Sequence, residues 1–151
     1  MVVGLTGGIA CGKSLVSGEL KRLGAHIVDA DVISRDVTAK GSPVYDEIVR
    51  EFGRGILRPD GSIDRKALGA IVFSDREKLL KLNAITHPAI IKTSSEKVER
   101  IKKSHPGTVI VVDAALLIEA GMHRAVDRVI VVYADEEKQM ERMKKRADLD
   151  E

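Results

Sequence analysis

The sequence predicts an α/β protein: a parallel sheet with helices on both faces, and with a helical region inserted into the chain. Three observations carry this. Gly7-Gly8-Ile9-Ala10-Cys11-Gly12-Lys13-Ser14 satisfies G-x-x-x-x-G-K-[ST] and lies between a short apolar run and an amphipathic one. Apolar, β-branched runs ending in aspartate recur at Ala25–Asp29 and Thr108–Asp113, as expected of strands whose carboxyl ends meet a ligand. Between Pro43 and Ser104 the alternation stops, and helical periodicity follows without a strand signal.

Met1–Thr6 reads as the first buried strand, and Leu15–Leu23, with Val16, Leu20 and Leu23 at helical spacing, as the first helix. The loop between them suits phosphate. Glycines let successive N–H groups point inward where a Cβ would obstruct them. The helix that begins near Gly12 adds free N–H groups and the positive end of its dipole. Gly7, Gly8, Ile9, Ala10, Cys11, Gly12, Lys13, Ser14 and Leu15 are therefore the expected nucleotide-binding residues. Lys13 supplies a point charge for the β- and γ-phosphates, and the Ser14 hydroxyl is placed for Mg²⁺. Cys11 fills a loop position that needs a small residue.

Ala25–Asp29 is the second strand, leading into Asp29-Ala30-Asp31. Two carboxylates at i and i+2 point the same way in a strand and diverge if the chain turns. They are either functional or caps for a helix over Val32–Thr38. Pro43 opens a helix with Val44, Ile48, Val49 and Phe52 on one side, closed by Gly53; Pro59-Asp60-Gly61 is a turn. Asp64 is the expected N-cap of a helix carrying Leu68, Ile71 and Val72. Ser74-x-x-Glu77 has the capping-box pattern before Leu79, Leu80 and Leu82. Thr86-His87-Pro88 is expected to start a further helix, with proline in its first turn, ending at His105-Pro106-Gly107.

Thr108–Asp113 is the clearest buried strand, and Asp113 at its end is placed to orient a water on Mg²⁺. Leu116–Glu119 is expected as a short helix, Arg128–Tyr133 as a fourth strand, and Asp135-Glu136-Glu137 as the acidic first turn of a last helix containing Met140 and Met143 as core contacts. The expected organisation is a nucleotide-binding core over 1–42 and 106–135, an acceptor-binding insert over 43–105, and the start of a lid helix over 136–151.

Composition narrows the function. The 151 residues suit one ordinary domain and suffice for a sizeable core. Net charge is +2 and aromatics are 3% without tryptophan, which argues against a nucleic-acid groove or stacking platform. One cysteine makes no internal disulfide, no apolar run reaches membrane-spanning length, and no leader pattern opens the chain. The expectation is a cytoplasmic protein, monomeric or weakly self-associating, acting on a small molecule. No N/T-K-x-D guanine motif is present, and motor-type ATPases are much longer. A small phosphotransferase of the nucleoside-monophosphate-kinase type remains, on a P-loop nucleoside-kinase-like fold, which works by positioning and charge neutralisation. It needs a carboxylate at the acceptor hydroxyl, for which Asp31 is the candidate. It also needs cations over the γ-phosphate, for which Arg142 and Arg146, one helical turn apart, are candidates.

Taken together these pieces resemble the dephospho-CoA kinase family. The resemblance rests on Gly4-Leu5-Thr6-Gly7-Gly8-Ile9 leading into Gly12-Lys13-Ser14 and on Asp29-Ala30-Asp31 with Ile33 and Arg35. It continues through Gly61-Ser62-Ile63-Asp64-Arg65 with Leu68, Leu82-Asn83 through His87-Pro88, Leu116-Leu117 with Glu119, and Arg142/Arg146 with Asp148. It implies ATP-dependent phosphorylation of the ribose 3′-hydroxyl of dephospho-CoA, with Mg²⁺, to give CoA and ADP. It implies Asp31 as the catalytic carboxylate, Arg35, Arg65, His87, Asp113 and Glu119 on the acceptor side, and Arg142 and Arg146 at the start of the lid. Two features depart from the family pattern. Asp113-Ala114-Ala115-Leu116 lacks the family's usual proline, which loosens the turn that orients Asp113. The chain is also about fifty residues short of a usual nucleotide-kinase domain. The expectation is a C-terminally truncated chain without most of the lid or the last strand, with an exposed sheet edge, lower stability and weak turnover. Rival readings are a P-loop kinase for another small molecule, such as a nucleoside monophosphate or shikimate, and a nucleotide-binding module without catalysis.

Overall fold

The computed structural model describes residues 1–147, with side chains as far as 145. The elements in chain order are β1 (Val2–Gly7), α1 (Lys13–Arg22), β2 (His26–Asp29), α2 (Ala30–Val37), α3 (Pro43–Phe52), α4 (Arg65–Phe73), α5 (Arg76–Ser104), β3 (Ile110–Asp113), β4 (Arg128–Val132) and α6 (Glu136–Ala147). Short 3₁₀ turns lie at Arg54–Ile56 and Met122–Ala125. Contacts divide the chain into two compact units, Met1–Ala30 with Glu96–Glu151, and Asp31–Ser95.

The first unit holds the sheet, in the order β2-β3-β1-β4. Every pairing is parallel, which a chain built from strand–helix–strand crossovers requires. β3 is buried at all its positions, and Leu5, Ile110, Val111 and Leu117 are almost fully enclosed. Each such side chain contributes about 1.5–3 kcal/mol by leaving water. Gly4 is needed for this packing, because a Cβ there would fall 2.6 Å from Leu117 Cδ2. The chain enters β1 with the Val2 N–H donating to Asp127 Oδ2 at 2.7 Å. β2 and β4 are the edge strands, and Val129, Ile130 and Val131 along β4 are exposed.

The second unit is helical. Its core is Ile48, Ile56, Leu68 and Val72, with Phe52, Leu79, Leu82 and Ile85 packed around them. The local signals act as their chemistry dictates. Ser42 Oγ accepts from the Tyr45 N–H at 3.0 Å with Pro43 in the first turn of α3, and Gly53 ends that helix at φ 79°. Asp64 Oδ1 accepts from the Lys66 and Ala67 N–H groups at 2.9 and 3.1 Å, starting α4.

Several local expectations are corrected. α2 begins at Ala30, so Asp31 lies in a helical first turn and the two carboxylates of Asp29-Ala30-Asp31 diverge. Leu57 and Ile63 form an antiparallel bridge across the Pro59-Asp60-Gly61 turn, a fragment of strand pairing inside the helical region. Ser74 does not cap α5. It ends α4, with its Oγ donating to the Ala70 carbonyl at 3.0 Å, and Asp75 takes the cap instead, accepting from the Glu77 and Lys78 N–H groups. No helix starts at Thr86, since α5 runs unbroken for 29 residues with Pro88 inside it. Proline removes one backbone donor and costs about 3 kcal/mol in a helix interior. Packing of Leu79, Leu82 and Ile85 on one side of Pro88 and burial of Val98 on the other outweigh that loss. Leu116–Glu119 is a series of turns, not a helix. Met140 and Met143 are about half exposed, so they are not core contacts.

Candidate active site

The candidate site is built at the carboxyl ends of the central strands. β1 delivers Gly7 into the loop, and α1 starts at Lys13. Gly12 precedes the helix at φ 99°, in the left-handed region that favours glycine. Ala10 also sits there, at φ 57°, which is uncommon for a residue with a Cβ. The loop closes on itself, with the Cys11 N–H donating to the Gly8 carbonyl at 3.4 Å. Gly7 cannot be replaced without movement, because a Cβ there would stand 2.5 Å from the Val132 carbonyl and 2.6 Å from Cys11 Sγ. The buried thiol of Cys11 thus packs under the loop. Gly8, Ile9, Ser14 and Leu15 lie on the outside, open to solvent.

The Lys13 ammonium donates to, and ion-pairs with, Asp113 Oδ1. Both side chains are largely buried, at 16% and 7% exposure, so the charges meet with little water between them. Strand register explains the meeting: Leu5 on β1 pairs with Asp113 on β3, and Asp113 pairs with Asp29 on β2. Two carboxylates therefore stand on adjacent strand ends, beside the loop lysine. From α6, Arg142 Nη1 donates to the Ala10 carbonyl at 3.1 Å, and a Cβ on Gly12 would lie 3.5 Å from it. Gln139 anchors the start of the same helix by donating to the Ala134 carbonyl at 2.6 Å. The structure thus brings Lys13, Asp113 and Arg142 to the loop. Glu119 lies exposed in the turns after β3, with no hydrogen bond or ion pair to the loop among the described residues. Arg146 lies in α6, but its side chain is outside the described residues, as is all of Asp148.

The second unit gathers a different set. Asp31 is exposed in the first turn of α2. Arg35, Thr38 and Lys40 line a cavity of about 260 Å³ with Arg58, Ser62 and Arg65. Arg65 Nη2 donates to Thr38 Oγ1 at 2.8 Å. Burial first, and then the charge of Arg35, lower the pKa of Arg65. His87 on α5 is half-buried, and that burial lowers its pKa; neither it nor Asp31 lines the cavity. Lys40, Arg58 and Ser62 are functional candidates that sequence reading missed. For Arg58 the signal was the Pro59–Gly61 turn, which folds it back beside Ser62, with the Arg58 N–H donating to the Ser62 carbonyl at 2.8 Å; Ser62 stood in the family-like stretch Gly61-Ser62-Ile63-Asp64-Arg65.

A four-stranded parallel sheet, a Walker-type loop and strand-end carboxylates define a P-loop kinase of the α/β class. The family model of dephospho-CoA kinase matches residues 1–151. The chain belongs to the dephospho-CoA kinase family, whose reaction is the ATP-dependent phosphorylation of dephospho-CoA in coenzyme A biosynthesis. It is 49% identical over 142 residues to the dephospho-CoA kinase of Carboxydothermus hydrogenoformans, covering 94% of this chain and 68% of the relative. It is 50% identical over 133 residues to that of Moorella thermoacetica, covering 88% and 63%. Among solved structures, the Thermus thermophilus protein TT1252 matches at 28% identity with a TM-score of 0.82, covering 98% of this chain and 73% of that one. The dephospho-CoA kinase of Campylobacter jejuni matches at 26% identity with a TM-score of 0.69, covering 99% and 81%. No helix among the described residues is long and apolar enough to cross a membrane.

Proposed function

We propose that the residues around the loop and those of the helical unit divide the reaction between them, moving the γ-phosphoryl group of ATP to the ribose 3′-hydroxyl of dephospho-CoA. The observation that carries this reading is the Lys13–Asp113 pair beside the loop, with Arg142 held to Ala10 from α6. The N–H groups of Gly7–Leu15 and the Lys13 ammonium bind the β- and γ-phosphates. Arg142, with Arg146, neutralises the transferring group as the lid closes. Asp31 accepts a hydrogen bond from the acceptor hydroxyl and aligns it in-line with the γ-phosphorus; a loose transition state asks for little proton abstraction. Arg35, Arg65, His87 and Glu119 hold the acceptor.

The donor set fits Mg²⁺. Among the described residues no group of three His, Cys, Asp or Glu side chains could hold a metal. Mg²⁺ needs no such cage, since it keeps several waters and uses one or two carboxylates with the substrate phosphates. Ser14 would ligate it directly and Asp113 through water, and the ion would supply charge neutralisation at the phosphates. The enzyme is a cytoplasmic one, monomeric or weakly self-associating, and acts without nucleic acid.

The test is a calorimetric titration of dephospho-CoA into the protein with Mg·ADP present. Saturable binding, weakened in Arg65→Ala and His87→Ala, is expected. A sample that melts cooperatively and binds ADP, but takes up no dephospho-CoA, would overturn the acceptor assignment.

A further inference from the structure

The cavity of the helical unit has an unusual charge balance. Arg35, Lys40, Arg58 and Arg65 all line it, and no carboxylate does. Among the described residues no ion pair engages any of the four. Two acids lie near enough to interact, but each is committed elsewhere. Asp60 feels Arg58 and Lys40, yet its Oδ1 accepts from the Ser62 N–H and hydroxyl, which holds the turn. Asp64 feels Arg58, yet its Oδ1 caps α4. Asp60 is exposed and Asp64 partly so, and near solvent a neighbouring charge is worth little.

The walls are fixed by the fold. The Gly61 N–H donates to the Arg58 carbonyl at 2.8 Å, and Tyr45 Oη donates to the Gly61 carbonyl at 2.6 Å. Lys40 Nζ donates to the Asp60 carbonyl at 2.9 Å. Like charges gathered this way repel, and the guanidinium of Arg65, only partly withdrawn from water, has a hydroxyl but no carboxylate as partner among the described residues. An anion would relieve both effects. Arginine forks match the geometry of phosphoryl oxygens. The volume, about 260 Å³, lies under the range of roughly 300–1,000 Å³ typical of pockets for whole drug-sized ligands, so the cavity suits one group of a larger molecule.

We infer that this cavity is a diphosphate subsite. It takes the diphosphate bridge of the acceptor, leaving the phosphates of ATP to the glycine loop, and Lys40 and Arg58 are binding residues in it. The identity of the acceptor rests on the function proposed above; the chemistry of the subsite does not.

The experiment is calorimetry with the loop pre-filled by Mg·ADP, using dephospho-CoA, adenosine and inorganic pyrophosphate as probes. Wild type, Arg58→Ala and Arg58→Lys are compared, with melting curves to confirm that each is folded. Arg58→Ala is expected to weaken dephospho-CoA and pyrophosphate by about 10- to 100-fold, the value of one charge-assisted contact. Adenosine and Mg·ADP affinities stay unchanged, and Arg58→Lys recovers part of the loss. Wild-type affinity for dephospho-CoA in a folded Arg58→Ala variant would overturn the subsite while leaving the acceptor standing. If dephospho-CoA fails to bind wild type, pyrophosphate decides alone. A loss in Arg58→Ala would keep the diphosphate subsite for another acceptor, and equal affinity would end it.

Discussion

The two units handle positive charge in opposite ways. Beside the glycine loop, Lys13 is largely buried against Asp113, and Arg142 is tied to a backbone carbonyl. In the helical unit, four cations share one cavity and no ion pair among the described residues compensates them. The difference shows what each region must resist. A buried lysine next to strand-end carboxylates is held in place before substrate arrives, and its position depends on its partner. An open cationic cavity gains its countercharge only with a ligand, so it should respond to salt as well as to substrate.

The comparison breaks most visibly at Lys13. Lys13→Ala removes a phosphate donor and leaves Asp113 buried beside Asp29 without that cation. It is expected to lower kcat by about 10²- to 10³-fold, the cost of losing one preorganised donor. Stability should also fall by about 3 kcal/mol, since a buried pair has lost one partner, which lowers Tm by about 6–12 °C at this size. Steady-state kinetics and calorimetry check both; a variant with wild-type Tm would show that the pair is not held as described. Next comes Asp31→Asn, which should reduce kcat by about 10²-fold, in the range of positioned acid–base groups, with ADP affinity intact. Unchanged kcat would remove Asp31 from the reaction.

Ile48→Ala sharpens the contrast in packing. It hollows out the apolar core of the helical unit without touching a charge, and should cost about 2–5 kcal/mol by denaturant unfolding. The smallest effect is on pH dependence. Burial lowers the His87 pKa, so between the folded and unfolded values the unfolded chain binds more protons. The contribution is unfavourable at low pH and vanishes as pH rises through the unfolded value of about 6.5. His87→Gln should therefore flatten the slope of Tm against pH on the acid side, while pH 8 values stay alike.

Local chemistry was legible in the sequence wherever a short segment decides its own conformation. The glycine loop, the cap at Asp64 and the β-branched run ending in Asp113 each carry their cause within a few residues. Pro88 shows the limit. Proline signals a helix start, yet packing on both sides keeps α5 continuous through it. Ser74 and Asp75 are adjacent potential caps, and only the way α4 ends decides between them. Leu116–Glu119 has helical spacing, but Gly121 at φ 72° breaks the segment into turns. The Lys13–Asp113 pair joins residues a hundred positions apart, and Arg58 meets Arg35 only once a turn and two helices are in place. Such convergence belongs to the tertiary fold and leaves no mark of its own in spacing.

The left-handed backbone at Ala10 has a thermodynamic consequence. A residue with a Cβ is less stable there by roughly 1–2 kcal/mol, and the rest of the fold supplies that energy when the chain folds. A nucleotide therefore meets a loop already bent into shape. Little conformational entropy of the loop is left to lose when the nucleotide binds.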